Sequence, residues 1–219
     1  MSLTLYGGQR TRASMPRWYM EEKGIDYTLV ELDLRGNQHR QPDFLAINPF
    51  GKLPALIDDS LLGADGQPLT LFESGAILQH LADCHSSEIQ TPSERALTSQ
   101  WLLFANATLA IALFVPSNRE REFPRLMEVL NQRLGVDQPL VGQQWGAADC
   151  AVQAYLAPAQ RRCSAATSTT ESREERAGRE LQTDTWALGI CCTTSDDPLA
   201  LTTGNAAKPR AVIFWGTQP

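Results

Sequence analysis

The hydrophobic pattern of the first 85 residues alternates between strand and helix periods. Leu3-Thr4-Leu5-Tyr6 alternates apolar and polar and stops at Gly7-Gly8, which predicts a strand and a turn. Met15 to Lys23 has helical composition and ends at Gly24, and Pro16 restricts the start of this helix to Arg12–Met15. Tyr27 to Leu34 alternates again. Pro42 to Ile47 predicts a short helix closed by Asn48-Pro49. Pro54 to Asp58 and Leu69 to Phe72 flank Asp65-Gly66, which predicts a hairpin. Glu73 to Cys84 places Ile77, Leu78 and Leu81 on one helical face. The order βαβαββα predicts a mixed sheet with helices on its faces.

After a linker from Ser86 to Pro92 the period becomes helical throughout. Glu94 to Val115 is strongly apolar, ends at Pro116, and offers Trp101, Leu102, Phe104, Ala105, Leu109 and Leu113 as core. Phe123 to Leu134 is amphipathic, with Leu126, Leu130 and Leu134 on one stripe and Gly135 as a stop. Residues 147–157 begin a further helix with Val152 and Leu156 inward. At Pro158 the pattern breaks. The last 62 residues hold 14 Ser and Thr against 16 in the preceding 157, and they show no sustained period. The expected organisation is therefore 1–85, an α/β unit; 92–157, a truncated helical unit; and 158–219, an irregular tail. A frameshifted or otherwise replaced C-terminus fits that tail, and a divergent extension is the alternative.

Composition narrows the functional classes. A net charge of -6 argues against nucleic acid, which needs a basic face. The stretch 101–115 is too short for a membrane span, and no secretion signal follows Met1. Five cysteines without CxxC or zinc spacing fit a reduced, cytoplasmic chain and no metal.

Two segments carry the chemistry. Asn48-Pro49-Phe50-Gly51-Lys52-Leu53-Pro54-Ala55-Leu56 is followed 16 residues later by Phe72-Glu73-Ser74. Together, after a β-α-β start, they resemble the glutathione-site signature of cytosolic glutathione transferases, and His39-Arg40 is similar to the His-Lys pair of plant-type members. The resemblance covers about residues 2–157. It implies a thioredoxin-like N-terminal domain followed by an all-α domain, glutathione as co-substrate, a homodimer across Phe50 and the 73–84 helix, and a detoxification-type conjugation of glutathione to a hydrophobic electrophile.

The physical reading of these residues agrees with that chemistry. A peptide lying along a sheet edge is held by backbone hydrogen bonds, and a cis Pro54 would turn the Leu53 backbone outward to receive one. Ser74 and the N-terminal N–H groups of its helix suit a carboxylate. Glu73 suits an ammonium, while His39, Arg40 and Lys52 suit a second carboxylate. Each also has a plainer reading: strand start, helix cap or solvated charge. The nucleophile is the glutathione thiolate, which a hydroxyl donor near a helix N-terminus favours. Serine-type members carry that hydroxyl where Thr11 stands. Ser14 is the alternative, and either could simply cap the helix. Tyr6 reads as core; Arg12 and Arg17 are candidate positive charges. No cysteine lies in this turn, which argues against mixed-disulfide members of the family. Trp145-Gly146-Ala147-Ala148-Asp149 is similar to the family's buried capping motif, with Gly146 at the cap and Asp149 bonding back. Two other classes stay open: a non-catalytic binding or scaffold protein, and a glutathione-dependent isomerase or peroxidase.

Overall fold

The computed structural model describes residues 2–8, 11–133 and 138–156. The tail at 158–219, the break at Pro158, Leu134 and the Gly135 stop lie outside the described residues. Four strands form one sheet in the order β2-β1-β3-β4. Strand β1 (Leu3–Gly7) runs parallel to β2 (Thr28–Glu31) and antiparallel to β3 (Ala55–Leu62), which pairs antiparallel with β4 (Pro68–Phe72). This is the mixed sheet expected from the order of elements, and the thioredoxin-like arrangement that the resemblance implies.

Helix α1 (Ser14–Lys23) ends at Gly24, whose φ of 66° supplies the left-handed stop. Together with α3 (Ser74–Cys84) it covers one sheet face: Tyr19, Met20, Ile77, Leu78 and Leu81 are fully buried with Leu5 and Leu56. Each such large apolar side chain contributes about 1.5–3 kcal/mol. Tyr6 points to the other face, where its ring meets the buried Phe44 of the short helix α2 (Pro42–Leu45) at 5.7 Å. Two element limits differ from the pattern. Strand β2 is shorter than Tyr27–Leu34, because Asp33 turns the chain: its Oδ1 accepts from Arg35 N, and its N–H donates to Gln38 Oε1. Strand β3 is longer than predicted and runs to Leu62, with an irregular register between Asp58 and Leu62.

The segment read as a linker is tied down. Ile89 is buried, Ser86 and Glu88 both bond Tyr19 Oη, and Thr91 with Glu94 forms a reciprocal capping box at the start of α4 (Pro92–Leu103). The helix continues through a π-helical turn (Phe104–Leu109) into α5 (Ala110–Phe114). The π-turn adds a residue per turn that a 3.6-residue period does not reveal. The run Pro92–Phe114 is 23 residues, and its most apolar 18-residue stretch has mean hydropathy 1.5, so by length and composition alone it could cross a membrane. Residues 101–114 are thus part of a longer apolar helix than the 15-residue stretch 101–115 expected from the sequence, and in this fold Leu102, Ala105, Leu109, Ala110 and Leu113 are buried against the rest of the chain. Pro116 opens a further helix, α6 (Pro116–Arg121), that the pattern missed. In α7 (Phe123–Arg133) the inward residues are Met127 and Leu130, with Leu126 half-buried. Helix α8 occupies 147–156, with Val152 and Leu156 buried as predicted.

Candidate functional site

Strand register explains how residues far apart in sequence meet. Gly7 pairs with Glu31, Tyr6 with Ala55, and Ala55 with Phe72. The segments after β1, β2 and β4 and the segment before β3 therefore leave the sheet at one end. These segments hold Thr11 and Ser14, His39 and Arg40, Glu73 and Ser74, and Lys52 to Pro54.

The Leu53-Pro54 peptide is cis. Pro54 is buried and Leu53 half-buried. The preceding turn is built by Asn48, whose buried amide donates to Lys52 O at 2.8 Å and accepts from Phe50 N at 3.1 Å. Gly51, with φ 58°, closes it; a Cβ there would stand 2.8 Å from His39 O. That approach puts His39 and Arg40 beside the Lys52 turn. Arg40 Nε donates to His39 Nε2 at 3.4 Å, and His39 Nδ1 is buried without a partner. Lys52 and Arg40 are exposed.

Thr11 sits between β1 and α1. A methyl group on Gly8 would lie 3.6 Å from both Thr11 Cγ2 and Leu53 Cδ1, so the two residues share a corner. Thr11 Oγ1 donates to Gly8 O at 2.8 Å and accepts from Ala13 N at 3.3 Å. Its hydroxyl thus holds the turn. Ser14 is exposed, and its Oγ donates to Thr11 O at 3.2 Å.

Glu73 has φ 68°, ψ 120°, a conformation that costs a non-glycine residue about 1–3 kcal/mol. Its exposed side chain stands at the start of α3, and its carbonyl accepts from Ile77 N. Ser74 is buried and donates inward to Asn106 Oδ1 at 3.3 Å. The same oxygen accepts from Tyr155 Oη at 2.6 Å, while Asn106 Nδ2 donates to Leu102 O at 3.0 Å. The Arg12 guanidinium lies over the Tyr155 ring, 5.4 Å from its centre. The sequence pattern does not mark Asn106 and Tyr155 as site neighbours: Asn106 is a polar residue within an apolar helix, and Tyr155 lies six residues beyond the motif at 145–149. Arg17 is directed away, toward Glu21 at 3.8 Å.

The capping motif at 145–149 has an unexpected member. Asp149 accepts from Gly146 N at 3.0 Å and from Leu140 N at 2.9 Å. The cap side chain comes from Glu88, whose Oε1 accepts from Ala147 N at 2.8 Å. Glu88 Oε2 accepts from Tyr19 Oη at 2.7 Å and faces Lys23 Nζ at 3.3 Å. Gly146 leaves room for this carboxylate: a Cβ would stand 2.2 Å from Glu88 Oε1 and would push the Glu88 side chain out of its cap position.

Two cysteines fall among the described residues, and neither is an activated thiol. Burial pushes the Cys150 thiol well up, and burial with the Asp83 and Asp58 carboxylates raises Cys84.

Comparison with known proteins fits this architecture. Residues 1–83 match the glutathione S-transferase N-terminal domain. The chain is 40% identical over 151 residues to the disulfide-bond oxidoreductase YfcG of Escherichia coli, covering 61% of this chain and 69% of that protein. It is 30% identical over 177 residues to glutathione S-transferase F13 of Arabidopsis thaliana, covering 68% and 76%. A glutathione transferase from Pseudomonas putida, solved with one glutathione disulfide per subunit, superposes with a TM-score of 0.59 at 29% identity, covering 74% and 76%. The fold and the sheet-end site define a thioredoxin-like protein with an appended helical region. The chain belongs to the glutathione transferase family.

Proposed function

We propose that this chain binds glutathione at the sheet end and uses the glutathione thiolate as nucleophile in a transferase reaction. The observation that carries the reading is the convergence of the cis Leu53-Pro54 peptide, the turn before α1 and the start of α3. In this reading the Leu53 backbone pairs with the cysteinyl unit. Ser74 and the first N–H groups of α3 receive the γ-glutamyl carboxylate, and Glu73 takes the ammonium. Lys52, Arg40 and His39 meet the glycyl carboxylate. The unpartnered His39 Nδ1 supports this, because a turn of the ring gives that donor an acceptor.

Thr11 is the proposed thiolate partner. Its hydroxyl must exchange the bond to Gly8 O for one to the sulfur, and Arg12 adds positive potential nearby. The thiol loses its proton to solvent. The sulfur then forms a bond to the electrophilic carbon, and the leaving group departs with its electron pair. No metal takes part in this reading. The chain would work in the cytoplasm as a homodimer. Phe50, 64% exposed with its ring 5.4 Å from that of Phe72, offers the apolar contact.

A second reading, glutathione-dependent disulfide exchange, is favoured by the likeness to a disulfide-bond oxidoreductase and to a structure carrying glutathione disulfide. The thiolate would attack a disulfide sulfur, release the other sulfur as thiolate, and leave a mixed disulfide for a second glutathione to resolve.

The test begins with a thermal melt of the full chain with and without glutathione. At about 100 times the dissociation constant the ligand adds about 2.7 kcal/mol of stability. A cooperative melt without a shift would sink the glutathione assignment. Turnover of an aryl halide supports transfer. Turnover of a small disulfide without aryl-halide conjugation supports exchange. Binding without either turnover makes the chain a binding protein.

A further inference from the structure

Away from the sheet end, β3 and α3 bring three ligand-type side chains to one point. Asp58 Oδ2 accepts from His80 Nε2 at 2.7 Å and from His85 Nε2 at 2.6 Å. The three ligand atoms lie within 4.8 Å of one another. The two imidazole rings are 5.4 Å apart, set at 67°. Asp58 is buried, with its other oxygen fixed by Ser60 N at 2.8 Å and Ser60 Oγ at 2.5 Å. The His80 and His85 side chains keep 10% and 15% exposure, which leaves a route from solvent.

We propose that Asp58, His80 and His85 form a binding site for one divalent transition-metal ion of the zinc class. The donor set is two imidazole nitrogens and one carboxylate oxygen, which suits zinc with a fourth position for water. Ser60 supplies the outer bond that aims a ligating carboxylate. His85 caps the C-terminal end of α3, where the helix carbonyls favour a cation. A tetrahedral ion with bonds of about 2.0–2.1 Å separates its ligands by about 3.3 Å, so each Nε2 withdraws about 0.6 Å from Asp58 Oδ2 while the two nitrogens, within 4.8 Å of each other, settle to the same spacing. In the metal-bound state each neutral ring carries its single hydrogen on Nδ1 and offers the Nε2 lone pair, so the ion takes the place of the two hydrogen bonds to Asp58. Since Ser74 and Cys84 mark opposite ends of α3, about 15 Å apart, the role is a structural clip between β3 and the far end of the helix that begins at the glutathione site.

The experiment is titration of the EDTA-stripped full chain with zinc by calorimetry and with cobalt by absorption. Support is one equivalent of metal, a cobalt spectrum of tetrahedral nitrogen and oxygen ligation without a thiolate charge-transfer band, and a rise in melting temperature of about 5–10 °C at 100 times the dissociation constant. A Cys84→Ser chain should keep this binding, and a His80→Gln/His85→Gln chain should lose it. Where the pair does not fold, His85→Gln alone keeps the His80–Asp58 bond and should weaken binding at least tenfold. No metal bound by the unmodified chain overturns the proposal. So does a thiolate spectrum, or unchanged affinity in the histidine variants.

Discussion

Glu88 accepts the N–H of Ala147 across 59 residues of chain and does for α8 what a serine or threonine at the cap position would do. The same carboxylate holds Tyr19 and Lys23 of α1. One side chain therefore joins the first helix of the α/β region to the start of α8. Glu88→Ala is expected to cost about 2–4 kcal/mol, because it strands the buried Ala147 N–H and takes from Tyr19 Oη and Lys23 Nζ a carboxylate partner, leaving Tyr19 Oη only Ser86. Gly146→Ser should destabilise the unmodified chain by steric conflict with Glu88, yet stabilise the Glu88→Ala chain by restoring a cap. Urea unfolding of the four proteins measures both signs. Simple additivity would mean that Glu88 and position 146 do not compete for the same space.

Asn106 links α3 to α8 through one oxygen. Asn106→Ala is expected to leave Tyr155 Oη without its 2.6 Å acceptor and Ser74 free to turn. The stability loss should be about 1–3 kcal/mol. Glutathione should bind about fivefold more weakly (a difference of about 1 kcal/mol) because Ser74 is no longer held. Calorimetric titration on the variant checks this, and an unchanged dissociation constant would confine Asn106 to packing.

Thr11 separates turn-building from chemistry. Thr11→Val keeps the shape and removes the hydroxyl, so about 1 kcal/mol of stability should go with the lost bonds to Gly8 and Ala13. If the hydroxyl meets the thiolate, kcat/KM for aryl-halide conjugation falls about 100-fold, and Thr11→Ser restores most of it. A stability loss with intact turnover would leave the thiolate to Ser14 or to backbone N–H groups.

The cysteines give a pH-dependent readout. A thiol whose pKa is raised carries less thiolate at a given pH, so its alkylation is slower than that of a free thiol and its rise with pH comes later. Native Cys150, buried and raised by burial, should resist iodoacetamide at pH 8 until the chain unfolds. Cys84 should react, more slowly than free glutathione. Peptide mass spectrometry resolves each site. Rapid native labelling of Cys150 would mean that the α8 contact with Met15 O, at 3.4 Å, opens readily.

Much of the fold was legible because it depends on local period and punctuation. Alternation at Leu3–Tyr6, the stop at Gly24, the hairpin at Asp65-Gly66 and the stripe Ile77, Leu78, Leu81 reflect backbone geometry that each segment carries within itself. The motif at 48–56 also reads locally: Asn48 reaches only as far as Phe50 and Lys52. What failed was what local period cannot express. The π-turn at 104–109 shifts Asn106 out of a regular helical face, and Pro116 starts a helix instead of only ending one.

The sequence by itself determined the order of elements, the family resemblance and the residue types suited to a bound tripeptide, because these depend on neighbours a few positions apart. Only the tertiary structure decided that Glu88 caps Ala147, that Ser74 answers to Asn106 and Tyr155, and that Asp58 gathers His80 and His85. Those pairings close loops of 22 to 59 residues. They exist because sheet register and helix packing fix distances that no period in the chain encodes.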